Sequence, residues 1–264
     1  MTADFKSMSL AAVDQTVVGW LEQLATQARE AVTHKLTVST KGHDARNLVT
    51  NVDRSNEEWL DQQIRTLDPG AKVVSEEGFG DHPADMSGDV WFVDPIDGTM
   101  NFVHEHTDFA IMVAWYRDGE PKLGWIIDVM AHHIFHGGPE MGVFENDQQL
   151  PKQPDVNLDQ AVFALSGRHL MQADSSYQEV GRSVLAFRVL GSAGITFARI
   201  LAGQLNGYYA ELQPWDFAAG QVMAKTLGLE VTNVDGKPLD MLSSNAVIVT
   251  TSSAHREVIT LLKS

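Results

Sequence analysis

Apolar positions along this chain change their spacing several times, and each change marks an element. In residues 10–33, Leu10, Val13, Val17, Trp20, Leu21, Leu24 and Ala25 recur three or four apart, which predicts an amphipathic helix. Residues 34–47, HKLTVSTKGHDARN, are polar with a glycine and read as a loop. LVTNVD follows at 48–53, then a second amphipathic helix over about 54–67, ended by Asp68-Pro69-Gly70. The runs then shorten. VVSEE at 73–77 and Trp91-Phe92-Val93 before Asp94 are apolar runs that stop at acids, as buried strands entering turns do. Between them the segment Gly78–Gly88, GFGDHPADMSG, is a loop whose glycines, proline and charges make it the best candidate for a mobile lid.

FAIMVAWY at 109–116, the turn signal RDGEP and KLGWIIDV at 122–129 predict a hairpin, and HHIFHGG and the run around VFEN continue an antiparallel series. The polar stretch 151–160, PKQPDVNLDQ, marks a boundary between subdomains at 1–150 and 151–264. Beyond it AVFALS predicts a strand, YQEVGRSVLA a helix, FRVLGS a strand, GITFARILAGQ a helix and GYYAEL a strand. WDFAAGQVMAKTLG is a helix, LEVTNV and NAVIVTT are strands, and SAHREVITLLK is a closing helix. An antiparallel block followed by alternation points to stacked sheets and helices.

The 264 residues suffice for a sizeable core. Without cysteine, disulfides, thiolate nucleophiles and Cys-ligated zinc are excluded. The N-terminus MTADFKSMSLAAVDQ has no basic segment before a long apolar run, and no stretch is long enough to span a bilayer. No signal peptide and a cytoplasmic location are therefore expected. The net charge of −16, from 35 acids against 19 bases, repels nucleic-acid backbones and anionic membranes, so neither is expected as a partner. It suits an enzyme whose anionic substrate is received by bound metal. Most of the acids read as solvated surface charge.

The candidate chemistry centres on residues 91–104, WFVDPIDGTMNFVH. The strand is expected to end at Asp94, and a Pro95-Ile96 turn to fold Asp97 back towards it. Two carboxylates so crowded repel unless a cation lies between them. Oxygen ligands with no Cys or His nearby suit Mg²⁺. Gly98 allows close backbone approach to a ligand, and a helix starting near Thr99 would turn its N–H groups to the same spot and favour a phosphate. In PWDFAAG at 214–220, Asp216 stands where a helix starts. Plainer readings exist: an ordinary turn for Asp97-Gly98 and a helix cap for Asp216. His132, His133 and His136 could suggest zinc, but in a strand 133 would face away from the other two. Solvated strand histidines are expected, and His104 and His106 are read in the same way.

Taken in order, the acidic pair Glu76-Glu77 after a strand, WFVDPIDGTMNFVH and PWDFAAG resemble the inositol monophosphatase family. LVTNVD and GSAG at 191–194 also match, so the resemblance covers nearly the whole chain. It implies an α+β fold, a five-layered α-β-α-β-α sandwich with the site at the junction of two α/β subdomains, and a homodimer. By the same resemblance Glu76, Asp94 and the backbone carbonyl of Ile96 hold one Mg²⁺, while Asp94, Asp97 and Asp216 hold a second, with two or three ions per site. Thr99 matches the residue that orients the attacking water, and Asp53 the acid that hydrogen-bonds it, giving a catalytic set of Glu76, Thr99 and Asp53. The plainer reading of Asp53 is a cap on a helix beginning at Arg54. Glu77 matches a nearby acid that is not a direct ligand. Ser192, Ala193 and Gly194 match a loop that meets substrate with backbone groups, or more plainly a helix N-terminus. Asp97, Gly98, Thr99, Ser192, Ala193 and Glu211 make up the expected substrate contacts.

The implied reaction is hydrolysis of a small sugar or inositol phosphate by metal-activated water. Haloacid-dehalogenase-type phosphatases also use a strand ending in acid-Gly-Thr, but their aspartates lie two apart, not three. An inactive relative that only binds a phosphate ligand through metal is the other alternative, and the complete set Glu76, Asp94, Asp97, Thr99 and Asp216 argues against it. Some stretches depart from the family pattern: MGVFENDQQL at 141–150, LGLEV at 227–231 and GYYAEL at 207–212. In the last, Ala210 stands where inositol-selective relatives carry an acid, and Glu211 comes one later. A one-residue shift along a strand turns a side chain to the opposite face. A broad phosphatase accepting inositol monophosphate, fructose 1,6-bisphosphate and NADP is therefore expected, unless a bulge re-aims Glu211.

Overall fold

The computed structural model describes residues 5–34, 36–40, 48–173 and 175–263. Helix α1 (Leu10–Ala31) opens at Ser9, whose hydroxyl accepts from the Ala12 N–H, and buries the stripe Val13, Val17, Leu21, Leu24 and Ala28. The expected 34–47 loop is corrected in part. Val38–Thr40 form strand β1, paired antiparallel with β2 (Leu48–Thr50), while Lys35 and residues 41–47 lie outside the described residues. All three β1 positions are exposed, so no apolar alternation announces the strand. Helix α2 (Asn51–Leu67) begins three residues before the expected start. Thr50 is its N-cap, and Asp53 completes a capping box by accepting the Thr50 N–H at 3.0 Å.

Strands β3 (Lys72–Ser75) and β4 (Asp89–Asp97) pair in parallel. The short helix α3 (Thr99–His104) follows, and then β5 (Ala110–Arg117), β6 (Glu120–Asp128), β7 (His133–Gly138), β8 (Gly142–Glu145) and β9 (Gln148–Gln149) run as an antiparallel meander. Together β3 to β9 make a seven-stranded sheet in chain order. Residues 151–160 then carry the chain to a second sheet.

That half contains β10 (Val162–Leu165), α4 (Gly167–Leu170), α5 (Ser176–Ser183), β11 (Ala186–Arg188), α6 (Ala193–Leu201) and β12 (Gly207–Leu212). It ends with α7 (Pro214–Thr226), β13 (Glu230–Asn233), β14 (Asn245–Thr250) and α8 (Ser252–Leu261). Its five strands are ordered β11-β10-β12-β14-β13.

The layers follow from which faces are apolar. On β4 and β5, Trp91, Val93, Ile111, Val113 and Trp115 pack with α1 and α2, while Phe92, Met112, Ala114 and Tyr116 pack with α6 and α7. Both faces are covered, which is why these strands read as continuous apolar runs rather than alternating ones. The middle helices also meet Tyr208, Ala210, Val247 and Val249 of the second sheet, whose other face, Phe163, Tyr209 and Ile248, packs on α5 and α8. The result is the expected α-β-α-β-α sandwich.

Most of the acids are at the surface as expected, but Asp14, Asp53, Glu57, Asp68, Asp89, Asp94 and Asp97 are buried. Three of them satisfy stacked tryptophans. Trp91 lies between Trp115 and Trp125, at 5.7 and 6.1 Å between centroids, and the indole N–H groups of the three donate to Asp68, Asp89 and Asp14. His136 is not a solvated strand histidine either, since its Nδ1 meets Asp14 at 3.0 Å and its Nε2 the Asn146 carbonyl at 2.9 Å. Among the described residues no helix is long and apolar enough to cross a membrane.

Candidate functional site

Residues three apart on a regular strand point to opposite faces. Asp94 and Asp97 do not, because β4 neither ends at Asp94 nor stays regular. Asp94 pairs with Met112 and Asp97 with Ala110, so three steps on β4 match two on β5. The extra residue is a bulge at Pro95-Ile96, where proline has no N–H to lose from the ladder. Met112 and Ala110 share the face towards α6 and α7, and the bulge brings both acids to it. The turn comes later than expected, at Gly98, with φ 84° and no room for a side chain: a Cβ there would lie 2.9 Å from Ser192 Cβ. Helix α3 then starts at Thr99, which meets the condition set for N–H groups facing that spot.

Asp216 arrives on the third residue of α7. It accepts the Gln213 N–H at 2.8 Å, so the cap reading is right, yet a carboxylate oxygen from each of Asp94, Asp97 and Asp216 lies within 4.8 Å of the others. The two roles coexist. Glu76 follows β3, the parallel neighbour of β4. It lines a cavity of about 190 Å³ together with Asp94, Ile96, Asp97, Gly98, Thr99 and Asp216, and among the described residues no Lys, Arg or His borders it. Burial, then repulsion from Glu76, Asp97 and Asp216, holds the Asp94 carboxyl well above its ordinary range. Burial pushes Asp97 up to about 6, against the pull of hydrogen bonds from Ser192, Gly194 and Ala193.

Those hydrogen bonds give the expected substrate loop a second role. The Ala193 and Gly194 N–H groups donate to Asp97 at 3.0 and 2.7 Å, and the Ser192 hydroxyl donates to it as well. Ser192 is also the N-cap of α6, accepting from the Ile195 N–H at 3.0 Å. The plainer helix-start reading describes this loop, and its backbone groups hold Asp97 in place.

The Thr99 hydroxyl lies 3.1 Å from Asp53 Oδ1 and 3.1 Å from the Ile96 carbonyl, the two acceptors for its one proton. Asp53 Oδ2 accepts the hydroxyl and N–H of Thr50. Asp53 thus stands inside the capping box of α2 instead of capping a helix at Arg54. Burial raises its carboxyl, Thr50 pulls it back, and Glu76 adds repulsion.

Sequence reasoning missed Glu57. It is fully buried on α2 and accepts three hydrogen bonds: Ser75 Oγ at 2.7 Å, the Glu77 N–H at 2.6 Å and the Phe79 N–H at 2.9 Å. It thereby clamps the turn that carries Glu76. The available signal was an acid within the apolar stripe of Val52, Leu60 and Ile64. The same bonds answer the lid expectation. Gly80 donates to Ser75 Oγ, Asp81 pairs with Arg65, and Lys72 holds Asp85 and Ser87, so the 78–88 loop is tied down.

Glu211 is not re-aimed by a bulge. Strand β12 pairs with β14 in unbroken register from Gly207↔Thr250 to Leu212↔Asn245. Tyr208 and Ala210 face the middle helices, and Glu211 is exposed on the Tyr209 side. It still borders a second cavity of about 410 Å³ that shares Asp97, Gly191 and Asp216 with the acidic one.

Comparisons with known proteins agree on one family. The model of the inositol monophosphatase family matches residues 9–264. An inositol-1-monophosphatase of Bacillus subtilis (strain 168) is 31% identical over 255 residues, covering 93% of this chain and 94% of its own. A fructose-1,6-bisphosphatase/inositol-1-monophosphatase of Thermotoga maritima is 29% identical, covering 81% and 82%. A crystal structure of an IMPase/NADP phosphatase complexed with Mg²⁺ and phosphate superposes with a TM-score of 0.89 at 26% identity, covering 97% of each chain.

Proposed function

This chain belongs to the inositol monophosphatase family, and we propose that it is a Mg²⁺-dependent phosphomonoesterase acting on small sugar, inositol or nucleotide phosphates. The observation that carries this reading is the convergence of Asp94, Asp97 and Asp216 oxygens, with Glu76, around one cavity that no basic residue borders among those described. An all-oxygen set of carboxylates, buried at Asp94 and Asp97 and half-buried at Glu76 and Asp216, fits a hard divalent cation. Glu76, Asp94 and the Ile96 carbonyl would hold one Mg²⁺, and Asp94, Asp97 and Asp216 a second, with two or three ions in all. When bound, Mg²⁺ neutralises the phosphate and supplies a nucleophile from water at neutral pH.

The chain's own groups do the rest. Thr99 donates its proton to Asp53, leaving a lone pair to accept from the attacking water and orient it. The start of α3 lies beside the same spot and favours the phosphate's charge. Ser192, Ala193 and Gly194 hold Asp97 in its ligating position. The larger cavity receives the alcohol, with Gly98 and Glu211 at its approaches. Ala210 offers no acid to read polyol hydroxyls, which supports breadth over inositol monophosphate, fructose 1,6-bisphosphate and NADP. The Thermotoga relative and the IMPase/NADP phosphatase, by their names, each act on two of these and together on all three. A cytoplasmic homodimer completes the proposal. Phe187 on the edge strand β11, with Leu185 just before it and Val189 just after it, stands exposed, an apolar row suited to a second copy.

Phosphate release from the purified protein with Mg²⁺, lost with EDTA, tests the reading against a binding-only relative. A panel of the three substrates ranks them. Asp94→Asn should abolish turnover with the fold intact. If it kept more than about a tenth of wild-type turnover, a loss below about 1.4 kcal/mol, the metal assignment would be wrong.

A further inference from the structure

The charged residues lining the larger cavity are Asp97, Asp216, Glu211 and Arg168. Among the described residues Arg168 is the one cation there, in a chain of net charge −16. Its guanidinium makes no hydrogen bond or ion pair with any described residue. An arginine used for stability would be expected to pair with one of the chain's many acids.

The backbone that carries Arg168 is held firmly. Gly167 lets α4 sit close against the chain leaving β11, since a Cβ there would lie 2.8 Å from Val189 Cγ1. His169 Nδ1 meets Ser166 Oγ at 2.9 Å. The His169 ring stacks on Tyr177 at 4.7 Å, and Tyr177 stacks on Tyr209 of β12 at 3.9 Å and 2°. Ser176 Oγ and the Tyr209 hydroxyl lie 2.9 Å apart and tie α5 to the same strand. This stack anchors α4 to the second sheet and keeps Arg168 at the cavity wall.

In the phosphatase reading, on which this inference rests, the reacting phosphoryl group lies at the small acidic cavity. The alcohol it esterifies extends into the larger one. A second anion on that alcohol would be repelled by Asp97, Asp216 and Glu211 and, among the described residues of this cavity, attracted by Arg168. The planar fork of a guanidinium matches two oxygens of a phosphoryl group. We propose that Arg168 determines specificity by receiving a second phosphoryl group carried on the same small alcohol, so that bisphosphorylated substrates are favoured over their singly phosphorylated counterparts.

Fructose 1,6-bisphosphate and fructose 1-phosphate form a matched pair differing only in that group. Arg168→Ala should lower kcat/KM for the bisphosphate about 10- to 100-fold more than for the monophosphate, chiefly through KM, the scale of a lost charge-assisted hydrogen bond. Arg168→Lys, which keeps the charge but not the fork, should recover part of the difference. Equal losses on both substrates, or no loss on either, would overturn the assignment. Calorimetry of the Ca²⁺-loaded protein with each sugar phosphate reads the same difference as a ratio of Kd values and does not need turnover. If wild type released no phosphate from either substrate with Mg²⁺, the phosphatase reading would fail. The Kd ratio would still decide Arg168: a ratio that collapses in Arg168→Ala supports the subsite, and an unchanged ratio rejects it.

Discussion

Glu57→Gln separates the clamp behind Glu76 from the metal site itself. The carboxylate accepts Ser75 Oγ and the Phe79 N–H on one oxygen and the Glu77 N–H on the other. Glutamine keeps one carbonyl oxygen and replaces the other with an NH₂ group, so at least one buried N–H faces a donor. A lost hydrogen bond to a charged acceptor, with its partner left unpaired, costs about 3 kcal/mol. At about 2–4 °C per kcal/mol for a chain of this size, Tm should fall by roughly 6–12 °C. A second effect separates positioning from packing. Glu76 lies between Ser75 and Glu77, both held by Glu57, so loosening them lets Glu76 leave its ligating orientation. The Mg²⁺ concentration that half-saturates activity, and that half-saturates the Mg²⁺-induced rise in Tm, should increase about tenfold, equivalent to about 1.4 kcal/mol. The assay is thermal unfolding of wild type and variant across a Mg²⁺ titration. A lower Tm with an unmoved Mg²⁺ midpoint would reduce Glu57 to a packing brace. No change in either would refute the clamp altogether.

Two further outcomes are expected. Thr99→Ala should lower kcat about 100-fold or more with little change in KM, because the hydroxyl is assigned to the attacking water, and an effect on KM alone would move Thr99 to substrate binding. The second concerns pH. Burial raises Asp97 from an ordinary 3.8 to about 6, so the metal-free folded protein keeps a proton that the unfolded chain releases between those values. Its stability should fall as pH rises through that window, and the Mg²⁺-induced rise in Tm should grow as pH climbs through about 6, where the cation no longer competes with a proton. A Mg²⁺-induced shift that stays flat from about pH 5 to 7.5 would refute the coupling.

Much of this protein was determined by local pattern. The 10–33 stripe, the continuous runs of β4 and β5 and the alternation after residue 160 follow from side-chain spacing, because the period of burial is written along the chain itself. The acids Glu76, Asp94, Asp97 and Asp216 were legible as an ordered set of motifs. What brings them together was not. Asp94 and Asp97 share a face only because β5 pairs with one residue fewer across the Pro95-Ile96 bulge, and that register belongs to two strands at once. Strand β1 carries no apolar signal, and its existence depends on its partner β2. Asp14 looks like a solvated helix acid until Trp125, 111 residues away, donates to it. Glu57 becomes a clamp only when the turn after β3 folds against α2. Hydrogen-bond partners distant in sequence leave no periodicity behind them, so burial of a polar group, and what it holds, is decided when the layers meet.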